Sequence, residues 1–189
     1  MLTFNFNPFP ELQTTRLKLR RLKASDAVDI IALRGNPIIM EFIPRPLVQS
    51  HAEALEFIEM INTKIDNMEG INWAITLHDS DKVIGMIGQY RLKPEHHRAE
   101  IGYMLLGEFT GQGIAGEAVH AVLDYSFSVM KLHSVEAVII PANLASASVL
   151  EKNGFVCEGR FKENEYHNGS FHDTMIYSIL SRNFNKQYS

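Results

Sequence analysis

Apolar and polar residues recur along the chain with two different periods, and these periods predict its secondary structure. From His51 to Met68 the apolar residues recur every three or four positions, which predicts an amphipathic helix. Similar patterns predict a long helix from about Gly113 to Met130 and a short one from about Ala145 to Asn153. A further short helix, capped at Ser25-Asp26, is expected to end near Arg34, before the proline that follows Asn36.

Other segments alternate with the two-residue period of a strand, or form short apolar runs between turn residues. These predicted strands are Arg16–Arg20, Asn72–Leu77, Val83–Arg91, Ala99–Leu106, Val135–Ile140, Phe155–Tyr166 and Phe171–Leu180. The pair Asn168-Gly169 between the last two strands is typical of a β-hairpin turn. The order of elements predicts an α/β domain with a mixed, mostly antiparallel sheet of about seven strands and helices on both faces. We expect residues 1–189 to form this single domain.

The composition is that of an ordinary globular protein. The net charge of −4 disfavours a nucleic-acid backbone as the main partner. No apolar stretch approaches the ~18 residues of a transmembrane helix, and the N-terminus does not resemble a signal peptide. The alternating basic residues Arg16, Lys18 and Arg20 are interpreted as the solvent-facing side of a strand. The single cysteine, Cys157, is expected to be a buried, inert thiol in a cytoplasmic protein.

A glycine-rich segment between a predicted strand and a predicted helix is the most informative part of the chain. Glycines let the backbone approach a ligand closely, and the N–H groups at a helix N-terminus attract anions. The segment is therefore interpreted as a loop that binds a pyrophosphate. It comprises Gly111, Gln112, Gly113, Ile114, Ala115 and Gly116.

The same segment also matches the dinucleotide fingerprint G-x-G-x-x-G, with Glu136 at the distance expected of a ribose-binding carboxylate. Three observations argue against a dinucleotide fold. Residues 107–110 separate the strand from the first glycine, Glu136 comes early in its strand, and the preceding strands are predicted to form a meander. A Walker loop is excluded because no Gly-Lys-Ser/Thr follows, whereas a glycine-rich turn without a ligand stays open.

Several motifs occur in a familiar order and at familiar spacings. They are Ala99–Tyr103, Gly111–Ala118, Asn143–Ser146 and Leu150–Phe155, together with the opening Leu12–Arg20 and the closing Asn168–Asp173. As an ordered set over nearly the whole chain, they resemble the GCN5-related N-acetyltransferases (GNAT), specifically the RimJ/RimL type. The resemblance implies that acetyl-coenzyme A (acetyl-CoA) is the co-substrate and that an acetyl group is transferred to a primary amine. No Cys/His or carboxylate set has metal-ligand spacing, so no metal is expected.

The resemblance also implies where acetyl-CoA binds. It would lie where the fourth and fifth predicted strands splay apart, with its pantetheine arm along the fourth strand and its pyrophosphate on the glycine-rich loop. The implied contacts are Tyr103, Leu105, Leu106, Gly111–Gly116 and Asn143. Two positions depart from the family pattern, since Thr110 and Gln112 stand where relatives often carry longer polar or basic residues. Backbone amides would then carry more of the phosphate binding, and we expect somewhat weaker affinity for acetyl-CoA.

Two residues are candidates for the chemistry. Glu100 is the candidate general base, acting through a water; alternatively it is a solvated strand residue, paired with Arg98 for example. Ser146 is the candidate hydrogen-bond donor to the leaving thiolate, because Leu150 occupies the position where many relatives have a tyrosine. Alternatively, or in addition, Ser146 caps the short helix.

The sequence leaves the acceptor open between a protein N-terminus, as the RimJ/RimL resemblance suggests, and a small amine such as a polyamine, an amino acid or a drug. His167 and His172 flank the last turn and either shape the acceptor site or are ordinary surface histidines. Two other functions are considered: a non-catalytic acyl-CoA sensor and, less favoured, an NAD-dependent oxidoreductase. The oligomeric state, monomer or homodimer, is also open.

Overall fold

The computed structural model describes residues 1–167 and 169–184, which form a mixed eight-stranded sheet and four α-helices. The strands are β1 Leu12–Gln13, β2 Leu17–Arg20, β3 Ile71–Leu77, β4 Gly85–Lys93, β5 Arg98–Leu105, β6 Ser134–Ile139, β7 Val156–His167 and β8 Ser170–Leu180. The helices are α1 Ala27–Arg34, α2 His51–Asp66, α3 Ile114–Ser128 and α4 Leu144–Lys152. The predicted fold class is confirmed, with one more strand than expected. The additional strand, β1, has two residues, which is too short for a period to be visible in the sequence.

The strand order is β1-β2-β3-β4-β5-β6-β8-β7, and β5 and β6 form the parallel pair in this otherwise antiparallel sheet. Their ladder joins Arg98–Glu100 to Ser134–Glu136. Both strands continue for several residues beyond this ladder, to Leu105 and Ile139. A gap therefore opens in the middle of the sheet, between the carboxyl-terminal halves of β5 and β6.

The centre of the sheet is covered on both faces. Residues 71–76 of β3 are all buried, and alternate side chains of a strand point to opposite faces. Trp73 packs edge-on against Tyr125 of α3, with ring centroids 5.6 Å apart. The buried stripe of α2, which includes Ile58 and Ile65, packs with α1 against the other face. The helices thus form one layer on each side of the sheet.

Two side chains lie in the opposite environment from the one predicted. Arg20 is only 2% exposed, because Asp26 lies just before α1 and accepts two hydrogen bonds from its guanidinium, at 2.8 and 2.9 Å. Cys157 is exposed rather than buried. It lies on β7, the edge strand of the sheet, where its neighbours Val156 and Glu158 are exposed as well.

The predicted terminal hairpin is present, since β7 and β8 pair antiparallel up to His167 and Ser170. Gly169 has the left-handed backbone expected in such a turn, with φ +81°, while Asn168 lies outside the described residues. In the part of the chain that the structure describes, no helix is long and apolar enough to cross a membrane.

Candidate active site

The gap between β5 and β6 belongs to a cleft of about 1120 Å³. The structure brings four of the sequence-predicted residues together in the lining of this cleft: Glu100, Tyr103, Asn143 and Ser146. Among the described residues that line it, none belongs to the glycine-rich loop Gly111–Gly116. The cleft therefore holds the candidate catalytic residues, and the candidate phosphate loop is a separate feature at the start of α3.

Hydrogen bonds of β5 determine which of its backbone groups face the gap. The Leu106 N–H donates to the Ile84 carbonyl at 2.9 Å, on the side of β4. Because backbone groups of successive strand residues point to opposite edges, Tyr103 and Leu105 direct theirs toward the gap. The Leu106 carbonyl accepts a bond from the Phe109 N–H at 2.9 Å, so both backbone groups of Leu106 are engaged within the protein.

Side chains on β5 reach both faces of the sheet. Tyr103 is in register with Ile87 of β4 and, through it, with Trp73 of β3, which packs against α3. The side chain of Tyr103 therefore points to the face covered by α3 and α4. Glu100 is three residues earlier and points to the other face, which α1 and α2 cover. The gap connects the two faces between these residues.

Glu100 has the environment of a carboxylate that can accept a proton. Its side chain is 18% exposed, and burial raises its pKa, although the positive charge of Arg91 opposes this rise. The Arg91 Nη1 atom lies 2.7 Å from a Glu100 carboxylate oxygen. The alternative partner, Arg98, is instead paired with Glu136. A base needs a pKa raised toward the working pH, which is the direction of the shift here.

Ser146 and Tyr103 form a pair of hydroxyl groups on the α3/α4 face. Their oxygens are 2.9 Å apart, and the Tyr103 hydroxyl also lies 3.2 Å from the Ser146 carbonyl. Burial raises the pKa of Tyr103 to about 12, so its hydroxyl stays protonated. The expected alternative, that Ser146 caps α4, is wrong: Asn143 is the cap residue, and its Oδ1 accepts the Ser146 N–H at 3.0 Å.

The glycine-rich loop has the backbone that an anion site requires. Gly111 and Gly113 have φ angles of +73° and +78°, in the left-handed region that favours glycine. Gly113 is the N-cap of α3, and the first intrahelical bond runs from the Glu117 N–H to the Gly113 carbonyl. The N–H groups of Ile114, Ala115 and Gly116 precede that bond, so no helical carbonyl accepts from them.

Arg16 adds a positive charge to this loop, which sequence reasoning missed. Its Nη1 donates to the Gln112 carbonyl at 2.9 Å, and its Nε donates to a Glu117 carboxylate oxygen at 2.6 Å. Its Nη2 would lie 3.4 Å from a Cβ atom placed on Gly113. A guanidinium from the start of the chain therefore lies beside the loop in which Gln112 has no charge. The sequence signal was the opening motif Leu12–Arg20, which contributed to the family resemblance but whose basic residues were interpreted as the exposed side of a strand.

The remaining histidine candidates differ in position. His167 lines the cleft, whereas the Nε2 atom of His172 contacts the Ser170 hydroxyl and the His167 carbonyl, at 2.9 and 3.1 Å. Within residues 1–167 and 169–184, His, Cys, Asp and Glu side chains form no group of three that could hold a metal.

A sheet that opens around a cleft, with a carboxylate on one face, a hydroxyl pair on the other and a glycine-rich loop at a helix start, is the arrangement that the resemblance to acyl-coenzyme A-dependent acyltransferases implied. Residues 16–156 match the family model described as an acetyltransferase (GNAT) domain. The chain therefore belongs to the GNAT family of N-acetyltransferases, and the resemblance seen in the sequence is confirmed. It is an enzyme that uses acetyl-CoA, which rules out the NAD-dependent alternative and disfavours the sensor.

Similar proteins cover nearly the whole chain. The uncharacterized N-acetyltransferase YoaA of Bacillus subtilis is 36% identical over 172 residues, which are 91% of this chain and 97% of that protein. The spermidine N(1)-acetyltransferase of Vibrio cholerae is 30% identical over 175 residues, 91% and 98% of the two chains. The structure of ribosomal-protein-S5-alanine acetyltransferase from Vibrio fischeri aligns with a TM-score of 0.81 at 25% identity, covering 93% of this chain and 99% of that one.

Proposed function

We propose that the chain transfers the acetyl group of acetyl-CoA to a primary amine at the gap between β5 and β6, with Glu100 as base and Ser146 beside the leaving sulfur. The observation that carries this proposal is the placement of these two residues on opposite faces of the sheet, at one cleft. The amine would approach from the α1/α2 face and the thioester from the α3/α4 face. We propose that residues 1–189 act as one such domain, in the reducing environment of the cytoplasm.

On the α3/α4 face, the proposed contacts with acetyl-CoA follow from the hydrogen bonding of β5 and α3. Tyr103 and Leu105 offer backbone groups to the pantetheine arm, while Leu106 contributes its side chain alone. Gly111–Gly116 offer N–H groups to the phosphates, next to the guanidinium of Arg16. We also assign a cofactor contact to Asn143, which lines the cleft at the start of α4.

Acetyl-CoA supplies an activated acetyl group, and residues of the chain accept the proton of the amine and stabilise the leaving sulfur. Glu100 accepts a proton from the acceptor ammonium through a water, which leaves the amine free to attack. The Ser146 hydroxyl donates a hydrogen bond to the departing sulfur, and Tyr103 in turn donates to the Ser146 oxygen. The sulfur leaves as a thiol after it receives the second proton of the amine. The products are an N-acetylated amine and coenzyme A.

For the acceptor, we propose the N-terminal α-amine of a peptide or protein. The cleft is large, and the segment Phe42–Gln49 and His167 line it, which leaves room for an extended chain. The similarity to a ribosomal-protein acetyltransferase supports this choice. A small polyamine is the second candidate, because a spermidine acetyltransferase is 30% identical over 91% of this chain.

A direct comparison of acceptors tests this choice. The purified protein is incubated with acetyl-CoA and either a set of short N-terminal peptides or spermidine, and the products are identified by mass spectrometry. Acetylation of the peptide α-amine, with spermidine modified much more slowly, is the expected result. Efficient acetylation of spermidine with unmodified peptides would replace the first candidate with the second.

A further inference from the structure

Arg34, at the end of α1, is a buried guanidinium in the lining of the cleft. The residue is 8% exposed, and its Nε atom is buried without a hydrogen-bond partner in the described part of the chain. Its Nη2 donates a long bond of 3.4 Å to the Pro46 carbonyl. The guanidinium lies over the ring of Phe57, 4.4 Å from the centroid, so packing fixes it in place.

Arg34 forms no ion pair with another described residue, although five glutamates also line the cleft: Glu53, Glu56, Glu69, Glu100 and Glu165. Among the ion pairs formed by the described residues, none includes Arg34 or its neighbour Arg45. Burial lowers the pKa of Arg34, and the positive charge of Arg45 lowers it further. A buried charge is normally paired, because an unpaired one loses its hydration without compensation. The buried, unpaired guanidinium of Arg34, with unpaired Arg45 in the same lining, therefore offers a local contact for an anionic group.

This anion site lies close to the proposed base. Tyr90 pairs with Glu100 across β4 and β5, and both side chains point to the α1/α2 face. The Tyr90 hydroxyl donates to the Asn72 Oδ1 at 2.8 Å, and the charges of Arg34, Arg45 and Glu100 all act on it. Tyr90, both arginines and Glu100 all line the same cleft. A molecule bound there with its amine at Glu100 can therefore present a second group to the arginines.

We propose that Arg34, assisted by Arg45, binds a carboxylate of the acceptor, so that the amine to be acetylated belongs to a molecule with a carboxylate close to that amine. This inference rests on the proposed transfer to a primary amine, and it adds a free amino acid to the peptide N-terminus as a possible acceptor. The planar guanidinium of Arg34 matches the geometry of a carboxylate, which it would bind through its Nη groups. The carboxylate can be the α-carboxylate of an amino acid or an acidic side chain near a peptide N-terminus. A polyamine has no anionic group for these arginines, so we expect it to be the poorer acceptor.

Matched acceptors that differ in this carboxylate test the inference, with rates compared per concentration of free amine because the carboxylate also raises the pKa of the amine. We would measure kcat/KM for L-alanine against L-alaninamide, and for the dipeptide amide Asp-Ala against Asn-Ala. In at least one pair, the carboxylate member should be favoured by about 10–100-fold, as expected for hydrogen bonds between charged groups. A preference in the first pair identifies an amino acid as the source, and a preference in the second identifies an acidic peptide.

Variants link this preference to the arginines. Arg34→Gln and, on the exposed loop, Arg45→Gln should each reduce the ratio of kcat/KM within the favoured pair, mainly through KM. Arg34→Lys should keep part of it. Arg182→Gln, an exposed arginine outside the cleft, is the matched control and should keep the full ratio.

The contradicting outcomes are separate from those of the proposed function. Equal rates within both pairs, or a ratio that neither arginine variant changes, would overturn the carboxylate site while leaving the acetyltransferase intact. If no acceptor of any kind caused thiol release from acetyl-CoA, both the carboxylate site and the acetyltransferase would be overturned.

Discussion

Glu100 shows how the environment of a single residue sets its chemistry. The carboxylate is mostly withdrawn from solvent, which raises its pKa, and the nearby guanidinium of Arg91 limits the rise. The two effects oppose each other, so the pKa of the proposed base depends directly on the ion pair. Arg91 itself has a left-handed backbone, with φ +45°, at an irregularity in the β4–β5 ladder, and this position brings its side chain to Glu100.

Arg91→Gln is expected to move the acidic limb of the pH profile upward. Removing the positive charge raises the pKa of Glu100 further, so kcat/KM should begin to fall at a higher pH as the pH is lowered. The profile is measured with acetyl-CoA and a reactive acceptor. Arg160→Gln, which breaks an ion pair with Asp173 on the terminal hairpin, is the control and should leave the limb unchanged. An unchanged limb in Arg91→Gln would show that Glu100 does not control the profile.

Ser146→Ala should lower kcat with little effect on the KM for acetyl-CoA. A hydrogen bond to a charged group contributes about 1.5–3 kcal/mol, so we expect a loss of about 10–100-fold. Tyr103→Phe should cause a smaller loss, because it removes only the support of the Ser146 hydroxyl. Ser148→Ala, an exposed serine of the same helix, provides the control for stability effects. A normal kcat in Ser146→Ala would show that Ser146 does not assist the departure of the sulfur.

Several individual side chains could not be placed from the sequence. The pattern of β2 gave no sign that Arg20 is buried, because its partner Asp26 becomes a neighbour only when the chain turns into α1. The cap of α4 was predicted at Ser146, but Asn143, whose residue type also favours that position, caps the helix in the structure. Arg34 was predicted only as the approximate end of a helix, and its burial in the lining of the cleft was not predicted. Each of these depends on a contact between segments, which local periodicity does not report.

At the scale of elements, the start of α3 is tied to the start of the chain. A carboxylate oxygen of Glu117 accepts bonds from the Thr14 hydroxyl at 2.5 Å and the Arg16 N–H at 2.9 Å, and Arg16 also pairs with Glu117 through its side chain. Burial would raise the pKa of Glu117, but these hydrogen bonds outweigh it and the pKa is lowered. These contacts of Glu117 with Thr14 and Arg16 form a brace that holds the glycine-rich loop in place from outside the loop.

Glu117→Gln should therefore destabilise the protein near neutral pH. A carboxylate with a lowered pKa in the folded state contributes stability above its unfolded pKa, and this contribution is lost as the pH falls. Because Arg16 is partly exposed, we expect about 1 kcal/mol, or about 2–4 °C in Tm. The difference from the original protein should shrink at acidic pH. Glu59→Gln, on the exposed side of α2, serves as the control, and a pH-independent difference would contradict the brace.

Gly113→Ala should damage the phosphate loop itself. An alanine at φ +78° is strained by about 1–2 kcal/mol, and its Cβ would press toward the guanidinium of Arg16. We expect a higher KM for acetyl-CoA and a lower Tm. Gly107→Ala is the matched control, because a Cβ there meets nothing within 4 Å. If both variants bound acetyl-CoA equally well, the left-handed loop would not be the phosphate site.

The major elements could be predicted because their periods are long and regular. The stripe of α2 and the alternation in β8 appear in the sequence as they do in the structure, with ends displaced by a few residues. The two-residue strand β1 has no detectable period. The exposure of Cys157 follows from the position of β7 at the edge, and strand order is not visible in a local pattern.

At the scale of the whole molecule, the interrupted pairing of β5 and β6 creates the cleft in the sheet that we propose as the active site. The parallel ladder ends at Glu100 and Glu136, and the strands diverge beyond it. A reaction between two large substrates can then occur through the sheet, each approaching from its own face. Only the family resemblance predicted this gap, because strand divergence arises from tertiary packing and leaves no local signature.

The most direct measurement is the release of free thiol from acetyl-CoA, followed with and without an amine acceptor. The original protein should release thiol at a rate that depends on the acceptor, and Glu100→Gln should lower kcat by about 10²–10⁴-fold, as is typical for loss of a general base. Binding of coenzyme A to the variant, measured by thermal shift, should remain. Acceptor-dependent release at a normal rate in Glu100→Gln, or no release by the original protein with any amine, would contradict the proposed chemistry.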